Sequence, residues 1–155
     1  MSVIGTHLKG RFILNNLEQA KEILLNNEFT CVVVDDKEMR TSTFSGIKPL
    51  IQFLEVSENA FEGASIADRC IGRAAAFLMI YGGVKEIYTK MISDHALALL
   101  EEHNIPVDYE VKVPYIINRT QDDMCPMEKT CLLISDPKEA YTALKAKLKE
   151  FSKEV

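Results

Sequence analysis

The sequence has no apolar run long enough to cross a membrane. Its longest apolar segment, around Ala74 to Tyr81, follows Arg73 and stops at Gly82-Gly83. The amino terminus lacks the basic start and apolar stretch of a secretion signal, so the chain reads as cytoplasmic. Positive charge is not in excess: 18 Lys and Arg stand against 23 Asp and Glu, a formal net charge of -5. That balance argues against a broad nucleic-acid-binding face. Internal repeats, low-complexity tracts and interdomain linkers are missing too. The reading is a single domain over 1–155, with 1–11 as a loose leader.

The cysteines and histidines lack the spacings of a metal or redox centre. Cys31, Cys70, Cys125 and Cys131 form no CxxC pair, and His7, His95 and His103 form no compact ligand motif. No metal and no cofactor is expected. A domain of 155 residues, 47% of them hydrophobic, can build its core without disulfides. Cys31 and Cys70 read as free thiols serving as small hydrophobes.

The period of the apolar residues changes along the chain. A helix is expected from Leu14 to Asn27 and a hairpin from Phe29 to Thr43, turning at Asp35-Asp36. A short helix follows over Lys48 to Val56, with Pro49 in its first turn. Ser65 reads as the cap of a long helix that carries Asp68 in its first turn and ends at Gly82-Gly83. Glu86 to Ile92 reads as a strand and Ser93-Asp94 opens the next helix, which closes at Asn104-Ile105-Pro106. Val107 to Val111 is another strand. Cys125 to Cys131 is a short helix, and Asp136-Pro137 starts the terminal one. Helices covering both faces of a sheet bury these elements, with the strands after Gly83 and Pro106 as parallel neighbours.

Four quoted segments carry a resemblance: TCVVVDD, SGIKPLIQFLE, GASIADRCIGRAAAFLMIYGGVKEIYTKMIS and VPYIINRTQDDMCPMEK. Over most of Asn27 to Leu148 the chain resembles a prokaryotic family known as domain of unknown function 1893, whose fold is similar to cytidine deaminases. The resemblance implies an α/β fold, a three-layer α/β/α cytidine deaminase-like domain with a mixed sheet. It does not bring the zinc chemistry with it. A zinc deaminase places a His or Cys and a catalytic Glu at one helix start and a PCxxC pair at a later one. Here the expected helix starts read Ile66 to Cys70 and Ser93 to Leu97, with neither HxE nor PCxxC. ADRCIG is also similar to a helix of the formate dehydrogenase accessory sulfur-transfer family, whose cysteine loop is not evident here.

The candidate site gathers at the strand ends and adjoining helix starts. Asp68, at a helix start, is the candidate for holding a ligand amine or hydroxyl and for moving a proton. Ser93 is a ligand-binding candidate at the next strand end. Asn118 and Arg119 offer an amide and a planar donor fork to a phosphate, a carboxylate or a base edge; a clamp from Arg119 to Asp122 or Asp123 is the alternative. Arg69 and Arg73, four apart, share a helix face that could meet an anion or pair with surface acids. Cys125 at a helix start is the candidate nucleophile, with Asp68 or Glu128 handling the proton; Glu128 could instead cap that helix.

Three functions remain open on these residues. The first is binding of a small anionic or nucleotide-like metabolite without zinc-dependent deamination. The second is a metal-independent thiol enzyme or sulfur-transfer protein that uses Cys125. The third is a structural or protein-interaction module, with a homodimer as its partner form. Whether the chain is an enzyme is not decided by the sequence.

Overall fold

The structure is a computed structural model that describes residues 7–9, 12–117 and 124–153. Two short strands, β1 (His7–Lys9) and β2 (Phe12–Leu14), pair antiparallel. The stretch read as a loose leader therefore contains a paired strand at His7–Lys9. Leu14 ends β2, and helix α1 runs over Asn16–Asn26. Asn15 caps it: its side-chain oxygen accepts from Glu18 N–H at 2.8 Å, and its amide donates back to the Glu18 carboxylate at 2.7 Å.

A second sheet holds five strands: β3 (Cys31–Val34), β4 (Met39–Ser42), β5 (Ser65–Ile71), β6 (Glu86–Ser93) and β7 (Val107–Val113), in the order β4-β3-β5-β6-β7. The expected hairpin is β3–β4, antiparallel. β5 also runs antiparallel to β3 but parallel to β6, and β6 is parallel to β7. The sheet is mixed. The remaining helices are α2 (Lys48–Val56), α3 (Arg73–Tyr81), α4 (Asp94–Glu102), α5 (Pro126–Cys131) and α6 (Pro137–Lys153). No helix among the described residues is long and apolar enough to cross a membrane.

Alternation along the central strands divides the core. Val32, Val34, Ala67 and Tyr88 face one way and pack under Ala20 and Leu24 of α1. Cys31, Val33, Ile66 and Ile87 face the other way, against α2 to α6 through residues such as Leu50, Phe77, Leu99, Cys131 and Leu144. Helices thus lie on both faces of the sheet in an α/β/α arrangement.

One element differs from the expectation in a way that moves the site. Ser65 to Ile71 is a central strand, and the helix begins only at Arg73 with Gly72 as its N-cap. Ser65 caps nothing; its hydroxyl donates to Glu86 Oε2 at 2.6 Å. A strand between two others has both faces covered, so it shows no polar–apolar alternation and reads like a buried helix. Gly72 marked the true boundary, because glycine is a poor helix-interior residue and fits where another group comes close. Asp68 therefore lies in the middle of a buried strand, not in the first turn of a helix.

Candidate functional site

The carboxyl end of β5, the start of α2, the start of α3 and the segment around Cys125 enclose a cavity of about 320 Å³. Gly46 and Ile47 of the α2 entry form one side, and Asp68 and Cys70 of β5 form the floor. Gly72 and Glu128 close the opposite side. Pro49 supplies the start of α2, and Ile47 at its N-cap has no side-chain cap. The positive end of that helix thus faces the cavity without a cap from its own N-cap side chain.

Asp68 carries the electrostatics. It sits opposite Cys31 on β3 and Thr89 on β6, and it is only 7% exposed. Burial raises its carboxyl from 3.8 to about 7, while N–H groups of Cys70 and Arg69, the Cys31 thiol and the Arg69 charge pull the other way. The Cys70 N–H reaches Oδ1 at 3.3 Å. A helix dipole, which would hold a first-turn carboxylate in its charged form, does not act here, since Asp68 belongs to no helix. The result is an acid that titrates close to neutral pH, next to a cavity. Such a group can donate or accept a proton.

Cys125 lines the same cavity, half-buried, as the N-cap of α5. Its N–H donates to Ile116 O at 2.9 Å, which ties α5 to the segment after β7. Cys70 also faces the cavity; burial and then the charge of Asp68 push its thiol up to about 11, with Glu128 and Cys125 adding to the effect. Cys31 and Cys131 are buried, and burial lifts both thiols, Cys131 to about 12.

Glu128 has a role that local sequence does not reveal. It neither caps its own helix nor lies free to move a proton. Its carboxylate reaches from α5 to the start of α3, where Oε1 accepts from Arg73 N–H at 2.7 Å and Oε2 from Ala74 N–H at 2.8 Å. Two of the orphan donors of α3 are thereby satisfied by a side chain 6% exposed. Gly72 makes room for it: a Cβ there would lie 2.2 Å from Oε1. The glycine's N-cap position and the later PMEK segment hold the only sequence traces of this contact.

Arg69 and Arg73 do not share a helix face. Arg69 leaves β5 toward α1 and donates to the carbonyls of Leu24, Asn27 and Phe29 at 2.9, 2.8 and 2.7 Å, closing the carboxyl end of that helix. Arg73 donates to the carbonyls of Cys131 and Ile134 at 3.2 and 2.8 Å and lies over the Phe77 ring. Both guanidinium groups are occupied as clamps. Ser93 is buried, accepts from Ala96 N–H at 3.1 Å as the cap of α4, and is not part of the cavity lining. Asn118 and Arg119, with Asp122 and Asp123, lie outside the described residues; the flanking residues Ile117 and Met124 form an antiparallel bridge.

The helix starts that face the cavity are those of α2, α3 and α5, in place of the two expected at Ile66 and Ser93. They carry Gly46-Ile47-Lys48, Gly72-Arg73-Ala74 and Cys125-Pro126-Met127, with Cys125 alone as a His or Cys and so without a ligand set. Among the described residues no group of three or more His, Cys, Asp or Glu is arranged to hold a metal ion. A larger groove of about 610 Å³ lies beside β4. Its Arg40 is already bound to Ala60 O and paired with Asp35 and Glu38, which leaves the smaller cavity as the candidate site.

No curated protein matches the chain. Among solved structures, a DUF1893 family protein (TM1506) from Thermotoga maritima is similar to it, with a TM-score of 0.79 and 26% sequence identity, over 95% of this chain and 97% of that one. The family model described as "Domain of unknown function (DUF1893)" matches residues 19–148. With that match spanning most of its length and the same architecture in the Thermotoga protein, the chain belongs to the DUF1893 family.

Proposed function

We propose that this chain is a deaminase-like protein that binds a small nucleotide-like or anionic metabolite in the cavity at the end of β5, without zinc-dependent deamination. The observation that carries the reading is that one cavity of about 320 Å³ joins Asp68, Cys70, Cys125 and the uncapped start of α2. Its volume falls in the range of small-molecule sites, roughly 300–1,000 Å³. The uncapped helix start attracts a negative or electron-rich ligand atom. Asp68 with its proton donates to a ring nitrogen or carbonyl, and without it accepts from an amine or hydroxyl. Asn118 and Arg119 extend this reading. In sequence they follow the cavity residue Ile116 by two and three positions and precede the cavity residue Cys125 by seven and six. Cytoplasmic location is part of the same proposal.

Calorimetric titration of nucleosides, nucleotides and small carboxylates tests the reading, run on the native chain, Asp68→Asn and Arg119→Ala. Binding that weakens in both variants supports the site. Binding untouched by Asp68→Asn excludes this cavity, and binding untouched by Arg119→Ala removes the loop from it.

A thiol enzyme is the second reading, favoured by Cys125 and Asp68 lining one cavity. Cys125 is then the nucleophile and Asp68 the proton acceptor; Glu128 drops out, because both its oxygens are engaged by α3. A substrate-dependent covalent adduct on Cys125, detected by intact-mass spectrometry, distinguishes this reading from simple binding.

A further inference from the structure

β7 is the outer strand of the sheet and is seven residues long. Ile87 N–H donates to Pro106 O at 3.0 Å, and this fixes which main-chain groups of β7 face β6. In the parallel ladder, Asp108, Glu110 and Lys112 turn their N–H and C=O groups inward to β6. Val107, Tyr109, Val111 and Val113 turn theirs outward. Among the described residues no strand pairs with that outer edge. The opposite edge, β4, has four residues, all half-buried. β7 instead leaves Val111 53% and Tyr109 39% exposed; it contains no proline, and its charged residues Asp108, Glu110 and Lys112 alternate with its apolar ones.

We propose that two copies of this chain join antiparallel through their β7 edges, about a two-fold axis at Val111, so that one sheet runs across both copies. The residue pattern selects both the occupant and the register. An antiparallel pair needs outward-facing residues opposite one another, and the odd-numbered residues of β7 meet that condition about any two-fold axis centred on a residue. An axis at Glu110 sets that carboxylate against its own copy, and directly opposed like charges destabilise a strand pair. An axis at Val111 removes the conflict. It sets Glu110 against the partner's Lys112, twice by symmetry, with Tyr109 against the partner's Val113 and Val111 against the partner's Val111. By strand alternation the opposite charges lie on one face of the joined sheet and the apolar pairs on the other. Among the described residues Lys112 and Asp108 pair loosely with Asp94 and Lys21, each 3.8 Å away and exposed, and the Glu110 carboxylate accepts from the Tyr88 hydroxyl.

This assembly stands or falls independently of what the cavity binds.

The test is sedimentation equilibrium on the full chain, native and variant, with far-UV circular dichroism to verify folding. The native protein is expected at twice the 17.5 kDa chain mass. Val111→Pro deletes an outward N–H, a change an edge strand accommodates, and it is expected to leave a folded monomer. Lys112→Glu, which leaves the backbone unaltered, replaces two attractions with two repulsions and is expected to weaken the dimer about tenfold or more. A native mass of one chain up to about 100 µM overturns the proposal. So does a folded Val111→Pro that keeps the doubled mass. Should Val111→Pro not fold, Lys112→Glu decides: an unchanged dimer overturns the proposal.

Discussion

Gly72 and Glu128 provide a test of the site's construction. Gly72 sits at φ -100° and ψ -176°, extended backbone that any residue adopts, so alanine there is opposed only by what its Cβ meets. It meets the Glu128 carboxylate, with Oε1 at 2.2 Å, Cδ at 2.5 Å and Oε2 at 2.8 Å. The carboxylate must retreat by about 1 Å to reach ordinary contact, which breaks the bonds to Arg73 and Ala74 N–H. Hydrogen bonds to charged groups contribute roughly 1.5–3 kcal/mol each; for two that share one carboxylate we take about 3 kcal/mol in all. Gly72→Ala and Glu128→Ala are each expected to lose about 3 kcal/mol. The double variant should lose little more than Glu128→Ala alone, because the new methyl enters vacated space. The coupling is then about 3 kcal/mol, well above the roughly 0.5 kcal/mol scatter of independent sites. Urea denaturation followed by far-UV circular dichroism measures all four corners of the cycle. If Gly72→Ala costs the same in both backgrounds, the carboxylate does not occupy the start of α3 and the reasoning fails.

The raised carboxyl of Asp68 makes stability depend on pH. The native state holds a proton that the unfolded chain releases between 3.8 and about 7, so stability falls as pH rises through that window and levels off above it. The full effect is about 4 kcal/mol by linkage. Asp68→Asn should abolish this fall, so its stability relative to the native chain rises from pH 4 to pH 8; a difference that stays flat with pH refutes the assignment. Iodoacetamide at pH 8 should label Cys125 first, since Cys31 and Cys131 are buried and the Cys70 thiol is pushed up to about 11. Peptide mapping that finds Cys31 or Cys131 labelled as fast in the native protein counts against this packing. Elemental analysis of protein purified without chelator should find far less than one zinc per chain; a stoichiometric zinc lost on Cys70→Ala would revive a metal mechanism.

What the sequence determined is local. Lys48–Val56 was readable as a helix with Pro49 in its first turn, Ser93 as a cap, Gly82-Gly83 as a stop, and β3–β4 as a hairpin, because capping, proline and glycine act within a few residues. The four long motifs were enough to point to the family. Only the tertiary structure made Ser65–Ile71 a strand, since its neighbours on both sides come from residues distant in the chain and remove the alternation that marks a strand. That one change decided the electrostatics of Asp68. In a first turn Asp68 would have been a stabilised carboxylate; under β3, β6 and α3 it is an acid titrating near 7. Arg69 closing α1 and Glu128 closing α3 are decisions of the same kind. Each joins groups more than forty residues apart, at 2.7–2.9 Å, and no local pattern encodes a partner that folding alone brings within reach.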